Sequence, residues 1–195
     1  MAETGKRALQ ARETKRAIFK CALDLFAEHP YEQVSVKDIC DAAGVSVGAF
    51  YHHFEGKDNL LDEGYRVFDQ QLEQDWDARE TTGAIEDIHF LIDHQMRSME
   101  AMGGFAAAQY FKNQLSVDHS YMLDAHRVLN IKLIESLRRA IGDGLLAGDP
   151  DAIAEEILCV TRGIIYDWNL HGHDYDLVAR GRHLVDILLE HYRLG

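Results

Sequence analysis

Proline stands at only two places in this chain of 195 residues, Pro30 and Pro150. The long stretch between them therefore holds no residue that forbids a helix. Apolar residues recur at three- and four-residue spacing nearly throughout, as in Ile18, Ala22, Leu25 and Phe26, which fall on one helical face. No segment alternates with the period of two that marks a strand, so the pattern selects an all-α fold. The length is enough to bury a core without disulfides or metals. A 47% hydrophobic and 27% charged composition is that of a globular chain. No apolar run of about 18 residues is present, which excludes a membrane-spanning helix. The opening MAETGKRALQARETKRA lacks the apolar centre of a secretory signal, so a cytoplasmic protein is expected.

Punctuation residues divide the pattern into segments. Pro30 ends the first helix, and Ser35 with Asp38 has the spacing of a capping box opening a short second helix that buries Ile39 and Ala42 or Ala43. Gly44 breaks that helix. Ser46 can cap a third, from Val47 to about His53, and after a turn near Gly56 a long helix runs through Leu60, Leu61, Tyr65, Phe68 and Leu72. Three short helices with a glycine turn between the second and third form a helix-turn-helix plan. Further helices are expected over 84–102, 104–115, 119–142, 151–170 and 175–193, with Asp149 capping and Pro150 at a first helical position.

The net charge of −13 argues against a polyanion as partner, but it is unevenly placed. Residues 1–20 hold six basic side chains (Lys6, Arg7, Arg12, Lys15, Arg16, Lys20) against Glu3 and Glu13, whereas residues 61–195 hold 12 basic and 24 acidic ones. Phosphate attraction follows local charge, so one basic end can meet nucleic acid while the rest is acidic. The basic run itself reads as a solvated, flexible arm. Cys21, Cys40 and Cys159 lie among apolar neighbours and read as small buried hydrophobes in a reducing compartment.

From Val36 to Leu61 the resemblance becomes specific. An apolar first helix, then Asp38-Ile39, Ala43-Gly44-Val45-Ser46, Gly48, Phe50-Tyr51, Phe54, Lys57 and Leu60 resembles the DNA-binding head of the TetR family of bacterial transcriptional regulators over about 45 residues. Gly44 permits the left-handed turn between the second and third helices. Ile39, Val45, Phe50 and Phe54 supply a small core. Gly48 and Ala49 keep the front of the third helix slim enough for a major groove. The resemblance implies that Lys37, Ser46, Val47, Gly48, Tyr51, His52 and Lys57 touch DNA, with Lys57 adding its charge to a helix N-terminus that holds a phosphate. Gly56 and Ala49 depart from the family pattern, which frequently has a better cap and a hydroxyl at these places.

The resemblance divides the chain into a helix-turn-helix DNA-binding domain over 12–57 and a helical effector-binding and dimerisation domain over 58–195. Met96 and Met99, with Phe105 and Phe111, form a stripe suited to an adaptable pocket, or simply to a core. His94, Tyr121, His126 and Tyr166 are polar groups able to orient an effector. Ile153, Ile157, Val160, Ile164 and Trp168, then Leu177, Leu184, Ile187, Leu188 and His191, make stripes wide enough for a partner as well. In the family such helices form a four-helix dimer bundle, and Gly163 and Gly181 would allow close approach. His171, His173 and Asp174 lack the two-anchor spacing of a zinc site, so no metal and no cofactor is expected.

No nucleophile elbow, zincin motif, phosphate-cradling glycine loop or Cys-x-x-Cys occurs, so the chain does not read as an enzyme. The expected function is a homodimeric repressor that binds double-stranded DNA at an inverted-repeat operator and is released by a small molecule. The competing reading is a small-molecule or metal carrier on the same fold that no longer reads DNA.

Overall fold

The computed structural model describes residues 2–103, 107–108 and 123–194. Among them are eight α-helices: α1 (Ala2–Glu28), α2 (Val36–Ala43), α3 (Val47–His53), α4 (Lys57–Ala78), α5 (Ala84–Met102), α6 (Val128–Gly142), α7 (Pro150–Leu170) and α8 (Leu177–Tyr192). A single 3-10 turn covers Tyr31–Gln33. The described residues contain no strand, only an isolated bridge between Leu146 and Arg193. They fall into two compact units. One holds the residues up to Arg66 with Ala107 and Ala108; the other holds Val67 to Gly103 and Leu123 onward.

The first unit follows the sequence signals closely. Ser35 Oγ accepts from the Asp38 N–H at 3.2 Å and Asp38 Oδ2 accepts from the Ser35 N–H at 2.8 Å, closing the capping box of α2. The Ser35 hydroxyl, which donates to Asp38 Oδ2, and then the Ser35 N–H hold the Asp38 carboxyl below its ordinary pKa. Gly44 ends α2 at φ 65°, the left-handed region where a β-carbon is strained. Ser46 then caps α3 by accepting from the Ala49 N–H at 3.1 Å. Ile18, Ala22, Phe26, Ile39, Phe50, Phe54 and Leu60 are buried together in this unit, with Val45 and Ala43 half-buried and Ala42 exposed.

In the second unit α5 is the central helix. Its Ile88, Leu91, Ile92 and Met96 are fully buried, and it packs on α6, α7 and α8. Asp149 caps α7 with Pro150 in its first turn, and Asp176 caps α8 by accepting from the Ala179 N–H at 2.8 Å. Three acids hold this unit together. Asp87, with no exposed side-chain surface, accepts from Arg79 and Arg139 and from the Thr81 hydroxyl. Asp93 of α5 receives Arg182 of α8 at 3.2 and 2.6 Å. Asp69 of α4 receives Arg127 at 3.1 and 2.9 Å, both side chains being buried.

Several expectations are corrected here. The basic N-terminal run is not an arm: α1 is helical from Ala2. The helix expected from 119 begins at Val128 within the described residues, because residues 123–127 form turns that aim Arg127 at Asp69. Only Cys40 is buried; Cys21 is half-buried and Cys159 exposed. Gly181 serves the chain's own core, since a β-carbon there would lie 3.0 Å from Met96 Cγ. The helix expected over 104–115 lies almost wholly outside the described residues.

Candidate nucleic-acid interface

α3 has two contrasting faces. Phe50 and Phe54 are 0% and 2% exposed, with ring centroids 5.5 Å apart. On the opposite side Val47 is 44% and Tyr51 57% exposed, and Ser46, Gly48 and His52 are exposed as well. Tyr51 rests one edge on Phe50 at 5.4 Å, so its hydroxyl is carried outward on a ring whose base is packed. A β-carbon at Gly48 would meet nothing closer than Ser46 Oγ at 3.9 Å, so the slim front of α3 is open space. Ser46 uses its oxygen as a cap acceptor and keeps its O–H to donate. His53 is half-buried, and burial, with His52 and Lys15 nearby, holds its pKa below the usual histidine value.

The two lysines among the expected contacts differ. Lys37 is exposed and pairs with Asp41 at 2.6 Å, a surface pair weak enough for a phosphate to displace. Lys57 turns inward. Its ammonium donates to the Tyr31 carbonyl at 2.8 Å and the Val34 carbonyl at 2.6 Å, and lies 4.3 Å from the centre of the Tyr31 ring. Two of its three N–H groups therefore clamp the connection between α1 and α2. Sequence reasoning missed this clamp, because the acceptors are backbone carbonyls that carry no side-chain signature. Lys15 is likewise engaged, with Glu63 at 2.7 Å and over the Phe54 ring at 5.5 Å.

The Lys57→Ala variant is expected to lose about 1–3 kcal/mol of stability, as two part-buried carbonyls lose a charged donor. Urea melts, with amide exchange over residues 31–34, measure that loss.

Residues 18–63 match the family model described as bacterial regulatory proteins, tetR family. Over 207 aligned residues, covering 95% of this chain and 92% of the relative, the chain is 26% identical to the HTH-type transcriptional regulator AcrR of Shigella flexneri. Residues 18–63 form a TetR-family DNA-binding head.

A second relative, the HTH-type transcriptional repressor KstR2 of Rhodococcus jostii, is 47% identical over 47 residues, 24% of this chain and 23% of that one. The fold extends beyond the head. The structure of Thermus thermophilus FadR, a TetR-family repressor in complex with lauroyl-CoA, superposes with a TM-score of 0.65 at 19% identity, covering 93% of this chain and 96% of that one. TetR-family regulators bind DNA operators, dimerise and bind small molecules, and this chain is a DNA-binding transcriptional regulator of that kind. None of its helices among the described residues is long and apolar enough to cross a membrane.

The effector candidates scatter. Met96 is fully buried and Met99 is 7% exposed, both within the second unit's core. His94 is half-buried on α5. Tyr166 is 52% exposed on α7, and His126 is exposed with its ring bonded to Asp124 at 3.0 Å. Phe105, Phe111 and Tyr121 lie outside the described residues. His171 Nδ1 lies 3.0 Å from the Asp167 carbonyl and His173 Nε2 3.1 Å from Asn169 Oδ1, so both rings fold back on the last turn of α7. Two surface clefts, of about 280 and 520 Å³, open over the Asp87 and Asp93 ion pairs and contain none of the candidates.

Proposed function

We propose that this chain is a homodimeric repressor that reads an inverted-repeat operator with α3 and is released by a small-molecule effector bound in the second unit. The domains would divide as 12–57 for DNA and 58–195 for effector and partner. The observation that carries the DNA reading is α3 itself: a buried Phe50–Phe54 base under an exposed Val47, Gly48, Tyr51 and His52 face. Lys37, Ser46 and the third N–H of Lys57 would hold phosphates around it. A carrier with a silent head would have no use for so open a face, and the reading as a regulator is preferred.

Retardation of DNA from the chain's own upstream region by the purified protein tests it. Tyr51→Ala is expected to weaken binding by about 1–3 kcal/mol, as for a base contact. Lys57→Ala should weaken all sequences alike and lower the salt slope by about one; an unchanged slope would confine Lys57 to its clamp. Unaltered operator affinity in both folded variants would refute the assignment of this face. Selected sites should be two-fold symmetric, with half-sites centred about one helical turn (~34 Å) or a multiple of it apart. Asymmetric sites would count against the dimer.

For the dimer, the relevant faces are those the fold leaves uncovered. Ile153, Ile157, Ile164 and Trp168 of the expected stripe are buried within the chain. Cys159, Gly163, Tyr166 and Leu170 instead share an exposed face of α7, and Gly163 has open space around it. On α8, Ile187 is 56% exposed between half-buried Leu184 and Leu188, with His191 exposed further on. Ile187→Glu, at a side chain more than half exposed, should convert the dimer to a monomer that still shows wild-type helicity. Light scattering at micromolar concentration measures this, and a monomeric wild type would refute the interface.

Release follows from linkage. An effector that fits better in a state unsuited to DNA must weaken DNA binding, and DNA must weaken effector binding equally, typically by about 1–3 kcal/mol. α4 is the natural lever, beginning at Lys57 and continuing to Ala78 among the residues that hold Asp69 and Asp75.

A further inference from the structure

His94 presents an acceptor that nothing among the described residues satisfies. Its side chain is 12% exposed, and its ring lies edge-on to Phe68 of α4 at 5.1 Å and tilted against Phe90 of α5 at 6.1 Å. Nε2 lies 3.2 Å from Asp75 Oδ2 of α4. A carboxylate at that distance requires the hydrogen on Nε2, which leaves Nδ1 with a bare lone pair. Nδ1 is buried and has no hydrogen-bond partner among the described residues. Burial holds the ring's pKa below the usual histidine value, with Arg97 acting in the same direction and Asp75 against it. The ring is therefore neutral at pH 7, and Nδ1 accepts rather than donates.

Enclosed polar atoms are nearly always paired, and the few exceptions call for a reason. Here the surroundings supply one. The ring that carries this lone pair lies against two aromatic rings, and an apolar setting with a directional polar group is how small-molecule sites fix orientation. Both α4 residues that touch His94, Phe68 and Asp75, belong to the helix that begins at Lys57.

We propose that His94 Nδ1 is the polar anchor of the effector site and selects uncharged molecules that carry a hydroxyl or amide N–H donor on an aromatic or apolar body. The proposal rests on the reading of the chain as a ligand-responsive regulator and gives that ligand a chemical class. A donor reaching Nδ1 polarises a ring already bonded to Asp75, so occupancy is felt on α4 without the effector touching α3.

The test uses a matched pair of probes, 1-naphthol and 1-methoxynaphthalene, which share one bicyclic ring but of which only the first can donate. Calorimetry on the full chain is expected to show 1-naphthol binding at least about tenfold tighter, the value of one hydrogen bond to a buried acceptor. His94→Phe keeps a ring in place and removes the acceptor, so the preference should vanish while the ether binds as before. Equal binding by the wild type, a preference that survives in His94→Phe, or no binding of 1-naphthol up to its solubility limit would each overturn the proposal. Should His94→Phe fail to fold, the nitrogen resonance of His94 Nδ1 in the wild type decides. It must shift with 1-naphthol and stay unmoved with the ether, and any other result overturns the anchor. Gel retardation by the probe-free wild type separates the two readings. Retardation without a probe preference refutes the anchor alone, and a preference without retardation refutes the regulator reading while leaving the anchor in place.

Discussion

Replacing Asp87 by Asn should produce the largest loss of stability of any polar substitution in this chain, about 3 kcal/mol. Breaking a buried ion pair from one side typically costs about 3–5 kcal/mol, because the remaining charge is left without a partner. Asp87 has no exposed surface and two arginines depend on it. Arg79 is the more damaging orphan, at 16% exposed and stacked on Trp76 at 4.0 Å and Phe90 at 4.5 Å. Arg139 is 45% exposed and water will recover much of its charge, which places the effect at the lower end of the range. A melting temperature lower by about 6–12 °C is expected for a chain of this size. The effect has a pH signature. Burial raises the Asp87 carboxyl, but hydrogen bonds from Arg79, Arg139 and Thr81 outweigh it, and the folded pKa lies below the ordinary value of 3.8. A carboxylate depressed by folding stabilises above its unfolded pKa, and that stabilisation is lost as pH falls through the folded one. Wild type and Asp87→Asn should therefore differ fully at pH 7, and the gap should narrow only below about pH 4. Urea melts across that window check it, and equal melts at pH 7 would show that the pairs contribute nothing.

The second large effect concerns DNA rather than folding. Gly48→Leu should leave the protein folded, and even firmer in α3, because glycine inside a helix is less favourable than other residues by about 0.5–1 kcal/mol. In the free chain a side chain at Gly48 enters open space. In the complex the same side chain would fill the gap that lets α3 approach the base edges of a groove about 12 Å wide. Operator affinity should fall at least about a hundredfold, close to 2.7 kcal/mol. Unchanged thermal melting with abolished retardation is the expected pair of results. A Gly48→Leu variant that binds its operator normally would show that α3 does not enter the groove front-first.

Parts of the molecule that rest on neighbours in sequence are legible in the sequence alone. Ser35 with Asp38, Gly44, Ser46, and Asp149 with Pro150 announce their helix ends because capping is a contact between residues two to four apart. The burial of Ile18, Ala22, Phe26, Ile39, Phe50 and Phe54 follows from the same local periodicity. The exposed residues of α3 were legible for that reason too: a short helix with one packed face presents the rest outward. Lys57 shows where this ends. Its place at the start of α4 was readable, but the direction of its amine was set by the carbonyls of Tyr31 and Val34, 26 and 23 positions away.

The order of residues was therefore sufficient for a helical chain, for where most of its helices begin and end, and for a head of the TetR kind. Those properties depend on local capping, periodicity and a compact motif. Which apolar stripes are core and which are surface was decided later, by packing. The stripe of Ile153, Ile157 and Ile164 and that of Gly163, Tyr166 and Leu170 lie on the same helix, and either could have faced inward until α5 and α8 took one of them. Packing also paired Asp69 with Arg127, Asp87 with Arg139, and Asp93 with Arg182, at separations of 58, 52 and 89 positions. Among the described residues it left His94 Nδ1 without a donor as well. An acid written in a sequence carries no mark of its partner, because a charge is satisfied by whatever the packing of apolar faces brings within hydrogen-bonding reach.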